Sequence, residues 1–221
     1  MKTKLTINKI LLIITGFYLC GTLMQNLFAS KTVTLGAICF TGGTLISWLV
    51  FACMDIITEV WGKKTAINVF MFGAGLNIFF SIVGALLDLM PGTNGAGVNC
   101  MFNLTNGVSL RIAIASPIAF ILGNYANTMI MHNMKNADTK NTSLTFMFRA
   151  SLSTLVGQLI DNGIFFVLAF GPFLKWGGGV FTSWKTVLTL IITITTIEFV
   201  LETLIAPITS KIVNRIKSIG A

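Results

Sequence analysis

One stretch in the fifth of six hydrophobic runs decides the fold: Arg149-Ala-Ser-Leu-Ser-Thr-Leu-Val-Gly-Gln-Leu-Ile-Asp-Asn-Gly-Ile-Phe-Phe166. Asp161 follows Arg149 by twelve residues, so on a helix its carboxylate lies about 18 Å deeper, near the bilayer midplane. An acid at that depth on an isolated spanning helix costs at least ~2.5–3.5 kcal/mol. Asp161 should therefore face a partner or a wet cavity rather than lipid.

The same stretch carries a stripe at the helical spacing i, i+4, i+7 and i+11, formed by Thr154, Gln158, Asp161 and Phe165. Asn162 lies on the edge of this stripe. The pattern predicts that this face forms half of a binding site.

The composition of the whole chain indicates a membrane protein. Hydrophobic residues make up 54% of the 221 positions and charged residues 10%, which leaves too little polar surface for a soluble globule of this size. Each apolar run is long enough to cross the hydrocarbon as a helix; the runs are approximately 10–28, 35–57, 66–89, 108–131, 144–173 and 187–208. We expect one all-α domain over residues 1–221, a bundle of six transmembrane helices in the cell (inner) membrane.

The net charge of +8 is explained by membrane topology rather than by nucleic-acid binding, because the basic residues concentrate on one side of the six spans. Three basic residues fall on one side of a six-span arrangement: Lys31, Lys175 and Lys185. The other side carries Lys2, Lys4, Lys9, Lys63, Lys64, Lys135, Lys140, Lys211, Arg215 and Lys217. The positive-inside bias therefore predicts that both termini are cytoplasmic.

No motif in the chain points to catalysis, a cofactor or a metal. His132 is the single histidine, and the sequence shows no histidine–carboxylate or histidine–cysteine cluster that would predict a metal site. The sequence also lacks the H-E-x-x-H, G-x-S-x-G and P-loop motifs. We expect neither an enzyme nor a cofactor.

The second predicted span contains two acids, Asp55 and Glu59, on a stripe that also includes Trp48. Glu59 is close enough to the interface to pair with Lys63 at i+4. Asp55 is deeper, and its spacing fits a structural ion pair and a functional group equally well.

The fourth predicted span carries Asn124 and Asn127 at roughly the depth of Gln158. Such amides either bind a ligand or hydrogen-bond to a neighbouring transmembrane helix. Arg111, near the outer end, has three open alternatives: it snorkels, or it pairs with Asp88 or Asp161.

The sixth predicted span places Glu198 about 20 Å from both Lys185 and Lys211, which is as central as a residue can be. Glu202 lies one turn further along. Two glutamates this close cannot both ionise cheaply in a membrane, so at least one should be protonated or paired with a cation. With Asp55 and Asp161 they give an acidic interior that favours cations or hydrogen-bond donors, such as a small, planar, donor-rich solute.

Several of these strings resemble the queuosine precursor transporters, also called the vitamin uptake transporter family. They occur in family order over nearly the whole chain: Asn26 to Lys31, Asp55 to Lys64, Arg111 to Ser116, Ser153 to Asp161, Phe165 to Phe170, and Glu202 before Pro207. The resemblance implies a six-helix membrane protein that imports 7-deazaguanine bases for salvage into tRNA queuosine. It also brings Asn26 into the expected site.

A guanine-type edge offers a ring N–H and an exocyclic amine that one carboxylate can accept together. Asp161 and Gln158 are the expected readers of this edge, and an aromatic side chain such as Phe165 is expected to stack on the ring. The expected substrate-binding set is Asp161, Gln158, Asn162, Asn124, Asn127, Glu198, Glu202, Trp48, Asp55, Phe165 and Asn26.

The chain departs from the family pattern at four positions: Trp48 stands where Pro is usual, Asn124 and Asn127 where Gln and Asp are usual, and Glu198 where Lys is common. Because a glutamate at position 198 reverses the local charge, we hypothesise a cationic aminomethyl base rather than a nitrile.

Three rival functions remain open at this stage. The first is the substrate-binding component of an energy-coupling-factor-type vitamin transporter, which would need a separate energising module. The second is an intramembrane enzyme that uses the acids, and the third is a proton or cation channel. Homodimer formation is also left open, whereas the bilayer is an expected partner.

Overall fold

The computed structural model describes residues 2–29, 32–36, 38–88, 108–140, 142–172 and 183–220. Its elements in chain order are α1 Lys2–Ala29, β1 Thr32–Leu35, β2 Ile38–Thr41, α2 Thr44–Trp61, α3 Lys63–Asp88, α4 Val108–Ala137, α5 Ser143–Phe170 and α6 Trp184–Gly220. All six helices are long and apolar enough to cross a membrane. The predicted all-α, six-helix bundle is confirmed.

The start of the second span was predicted wrongly. The apolar run from residue 35 suggested one continuous helix, but Thr32–Leu35 and Ile38–Thr41 are antiparallel strands in which Thr32 pairs with Thr41 and Leu35 with Ile38. Val, Thr, Ile and Phe favour extended backbone, and short apolar runs do not separate strand from helix. The helix begins only at Thr44.

The bundle has an apolar exterior and a polar centre, as lipid requires. Exposed side chains on α1, α3 and α6 are large and hydrophobic, including Leu12, Phe17, Phe72, Phe79, Ile192 and Leu204. The fully buried side chains include polar ones such as Asp55, Glu59, Gln158 and Glu202. Because lipid cannot hydrogen-bond to these groups, they lie between helices.

Local chemistry sets the ends of the helices around α5. Thr142 caps its N-terminus: the Thr142 hydroxyl accepts from the Thr145 N–H at 3.2 Å, and the Thr145 hydroxyl accepts from the Thr142 N–H at 2.9 Å.

Gly62, which joins α2 to α3, has φ +83°, a conformation that residues with a Cβ rarely adopt.

Gly123 of α4 and Gly157 of α5 allow these two helices to pack closely next to Asp161. A Cβ added at Gly123 would lie 2.7 Å from the Asp161 Cβ and 2.9 Å from the Gly157 carbonyl oxygen, and one added at Gly157 would lie 2.9 Å from the Asn127 Cβ. Small residues at such contacts let membrane helices approach closely. The position of Asp161 therefore depends on this glycine pair.

We expect Gly123→Ala to lower the melting temperature of the purified protein, because overpacking of this kind costs ~1–3 kcal/mol. Gly163→Ala on α5 is the matched control, since a Cβ there meets nothing within 4 Å. It should leave stability unchanged or raise it by up to about 1 kcal/mol through helix propensity. Equal melting temperatures for the two variants would contradict the close contact.

Candidate functional site

A cavity lies between α1, α2, α4, α5 and α6, in the half of the bundle expected to face outward. Its lining includes Thr22, Gln25, Asn26, Thr44, Ser116, Phe120, Asp161, Asn162, Phe165, Phe166 and Glu198. Its volume is about 50 Å³, which holds a few water molecules. A bicyclic ring therefore fits only when lining side chains move apart.

Asp161 is one of two acids that line the cavity, and no described residue donates a hydrogen bond to its carboxylate. Its backbone is fixed by the close contact with Gly123, and its side chain is half-buried against the cavity. No described lysine or arginine forms an ion pair with it. A carboxylate held in this way is free to accept from a ligand.

Glu198 is the second acid of the cavity, and Asn162 holds it in place. The Asn162 Nδ2 group donates to Glu198 Oε2 at 2.7 Å and to the Thr195 hydroxyl at 3.1 Å. Asn162 is thus both a cavity residue and the link between α5 and α6. The Ser47 hydroxyl of α2 is also within hydrogen-bonding reach of the Glu198 carboxylate, which lines the cavity together with Asp161.

The α1 wall of the cavity contains Asn26 in a polar network and Gln25 outside it. Asn26 donates to Asn77 Oδ1 at 2.8 Å and accepts from the Ser116 hydroxyl at 3.0 Å. The Gln25 amide makes no hydrogen bond with any described residue. Gln25 was missed in the sequence, although Thr22, Gln25 and Asn26 share an i, i+3, i+4 face.

Four residues of the expected set lie one or two turns deeper, outside the cavity lining. Asp55 accepts from Asn127 Nδ2 at 3.0 Å through Oδ1 and from the Thr154 hydroxyl at 3.3 Å through Oδ2. Gln158 and Glu202 are fully buried, and none of their side-chain polar atoms has a hydrogen-bond partner among the described residues. The stripe on α5 is therefore divided between two levels.

Asn124 and Trp48 are placed away from the cavity. The Asn124 amide donates to the Phe120 carbonyl at 2.9 Å and accepts from the Tyr18 hydroxyl at 3.3 Å, which ties α4 to α1. Trp48 lines a separate apolar groove with Ile13 and Phe17. Neither residue is part of the cavity lining.

Glu59 pairs with three cations from other helices, so the predicted pair with Lys63 is wrong. Lys217 Nζ lies 2.5 Å from Oε1, Arg149 lies 3.4 Å from Oε2, and Lys135 donates to the Glu59 carbonyl oxygen. Residues distant in sequence but equal in depth outcompete the i+4 partner. We call these four residues the Glu59 cluster; it joins α2, α4, α5 and α6 at the inner end.

Arg111 neither snorkels nor pairs with Asp161; the third alternative, a pair with Asp88, falls on a side chain outside the described part of the chain. Arg111 is buried and donates to the carbonyl oxygens of Leu168 and Gly171, at 3.3 and 2.8 Å. It thereby satisfies the last carbonyl groups of α5. Asp161 is left without this counter-charge.

The geometry of the cavity suits a small ligand with several hydrogen-bond donors. Two carboxyl groups, the Gln25 amide and the rings of Phe120, Phe165 and Phe166 face it. Among the described residues no group of three or more His, Cys, Asp or Glu side chains could hold a metal ion.

Comparison with known proteins gives one match. The sequence model of the family described as Putative vitamin uptake transporter matches residues 41–212. No curated protein and no solved structure matches the chain. The match covers α2 to α6 apart from the last turns of α6, and includes Asp161 and Glu198. A multi-pass membrane protein with this match over most of its length belongs to the vitamin uptake transporter family.

Proposed function

We propose that this protein imports 7-deazaguanine bases, the precursors of queuosine, into the cell. The observation that carries the proposal is the Asp161 carboxylate, which lines the outer cavity and accepts no hydrogen bond from a described residue. Family membership supports uptake of a small molecule, and the resemblance to queuosine precursor transporters supports the substrate class.

The edge of a guanine-type base complements this site. Its ring N–H and exocyclic amine can donate side by side to the two oxygens of Asp161. The Gln25 amide can donate to the ring carbonyl oxygen, the role expected of Gln158, which lies deeper. Phe165 makes an edge-on contact with Phe166 at 5.3 Å between centroids and supplies an apolar surface for the ring.

The direct test is uptake of labelled 7-cyano- and 7-aminomethyl-7-deazaguanine by cells that cannot synthesise them. Cells expressing the protein should accumulate label in tRNA, whereas cells with an empty vector should not. Absence of uptake from cells that display the protein in their membrane would reject the proposal. Uptake that depends on a co-purifying ATP-driven subunit would instead assign the chain to the energy-coupling-factor type.

Glu198→Gln should lower the affinity for the aminomethyl base more than the affinity for the 7-cyano base. Because Glu198 faces the cavity, it can pair with the cationic aminomethyl group. Its replacement should therefore weaken that base by about tenfold, the loss of one charge-assisted contact of ~1.5 kcal/mol. The uncharged 7-cyano base should be affected much less.

The readout is the ratio of the two dissociation constants, measured by calorimetry on purified protein. Thr196→Val is the control, because Thr196 is exposed and bonds to its own helix through the Ile192 carbonyl. An equal loss for both bases would show that Glu198 shapes the site without reading charge.

A further inference from the structure

A second group of buried polar side chains lies directly inward of the cavity. Glu202 follows Glu198 by one helical turn on α6, and Asp55 lies on α2, which packs against α6 at this level, where Cys53 and Ile56 share a groove with Ile205 and Thr209. Both carboxyl groups are fully buried, and neither lines the cavity. This Asp55–Glu202 pair therefore stands between the cavity and the Glu59 cluster.

The two carboxyl groups differ in their hydrogen bonds. Asp55 accepts one bond at each oxygen, from Asn127 and Thr154. Glu202 has no donor at either oxygen among the described residues. The ion pairs of the described part of the chain involve Glu59 and Asp138 only, so no described lysine or arginine neutralises the pair.

An ionised carboxylate without a donor or a counter-ion costs several kcal/mol in a membrane interior. Two neighbouring carboxylates that repel each other make the cost larger. A proton held by the pair removes the repulsion and turns Glu202 into a donor. The fully buried amide of Gln158 has no partner among the described residues and is an acceptor at the same depth, because Gln158 and Glu202 each lie one turn inward of the Asn162–Glu198 hydrogen bond.

We propose that Asp55 and Glu202 form a proton-binding site that couples substrate uptake to proton entry. This proposal rests on the proposed import function. The proton enters through the outer cavity and binds a carboxylate oxygen of the pair. On the inner side the carboxyl O–H bond breaks and the proton passes to cytoplasmic water, with no change in oxidation state.

The charged and titratable groups on the described helices around the pair belong to α1, α2, α4, α5 and α6. Cys53 of α2 lies near Glu202, and Tyr18 of α1 lies near Asp161. Outward are the cavity acids on α5 and α6. Inward is the Glu59 cluster, which contributes the basic groups of α4, α5 and α6. The Asp55–Glu202 pair therefore lies between the cavity acids on its outward side and the basic groups of the Glu59 cluster on its inward side.

The test uses purified full-length protein in liposomes with an acidic exterior and no sodium. A gradient of about two pH units supports up to about a hundredfold accumulation of labelled base at one proton per substrate, because one unit is worth ~1.4 kcal/mol. Wild-type protein should accumulate the base until a protonophore is added. Glu202→Gln, which imitates the protonated acid, should lose accumulation but keep exchange of labelled for unlabelled base.

Thr203→Val is the matched control, because Thr203 is exposed beside Glu202 and bonds to its own helix; it should behave as wild type. Accumulation by Glu202→Gln, or wild-type accumulation that requires a sodium gradient, would overturn the proton site. A wild-type protein without exchange would reject the import function instead, so the two failures are distinguishable.

An independent readout needs no substrate. The infrared spectrum of wild-type protein should contain a protonated-carboxyl C=O band that is reduced in Glu202→Gln and unchanged in Thr203→Val. If Glu202→Gln gives too little folded protein, Asp55→Asn can take its place, because it removes the other carboxyl group of the pair. An unchanged band in both acid variants would overturn the proposal.

Discussion

Asp161→Asn should abolish high-affinity binding of 7-deazaguanine bases while leaving the protein folded. The change keeps the volume of the side chain but replaces a double acceptor with one donor and one acceptor. One charge-assisted bond of ~1.5–3 kcal/mol is lost, and an N–H group of the ligand is left facing the new amide, so we expect about a hundredfold or greater loss of affinity. Calorimetry on the purified variant measures it.

Asp138→Asn makes the same chemical change far from the cavity, in the link between α4 and α5. It should bind the bases as wild type does. If a stably folded Asp161→Asn protein also bound as wild type does, the substrate would not be read by Asp161 and the proposed orientation would be rejected.

Glu59→Gln should lower stability more than any other substitution in the bundle interior. Arg149 is only 3% exposed, and removing the Glu59 carboxylate leaves this buried cation with Asp138 alone, at 3.6 Å. Breaking a buried ion pair in this way costs ~3–5 kcal/mol. Melting of the purified protein in detergent is the measurement, and we expect a large fall in melting temperature.

Lys217→Gln is the informative comparison, because the Lys217 side chain is 44% exposed. An exposed partner contributes only about 0–1 kcal/mol, so this variant should melt close to wild type. Similar melting temperatures for the two variants would mean that the Glu59 cluster does not hold the inner ends of the helices together.

The two ends of the bundle suggest how such a carrier works. The cavity lies in the half of the bundle that the positive-inside bias predicts to face outward, whereas the Glu59 cluster joins four helices at the opposite end. Release of a substrate inward requires these ion pairs to separate. The two lysines of the Glu59 cluster are partly exposed, so separating these ion pairs costs less free energy than separating fully buried ones.

The sequence by itself determined the number of spans and the relative depth of each acid along its helix. Both follow from local quantities: the length of an apolar run fixes a membrane crossing, and the rise per residue fixes how deep Asp161, Glu198 or Asp55 lies. The expectation that the acids face inward also required no tertiary information, because lipid excludes them.

Only the tertiary structure decided which groups of equal depth meet. Spacing on one helix placed Gln158 with Asp161, but in the folded bundle Asp161 lines the cavity whereas Gln158 is fully buried outside it. The same reason explains why Glu59 contacts Lys217 rather than Lys63. Depth is a property of one helix, whereas partner choice depends on the rotation and approach of its neighbours, which the glycine contact at Gly123 sets for α4 and α5.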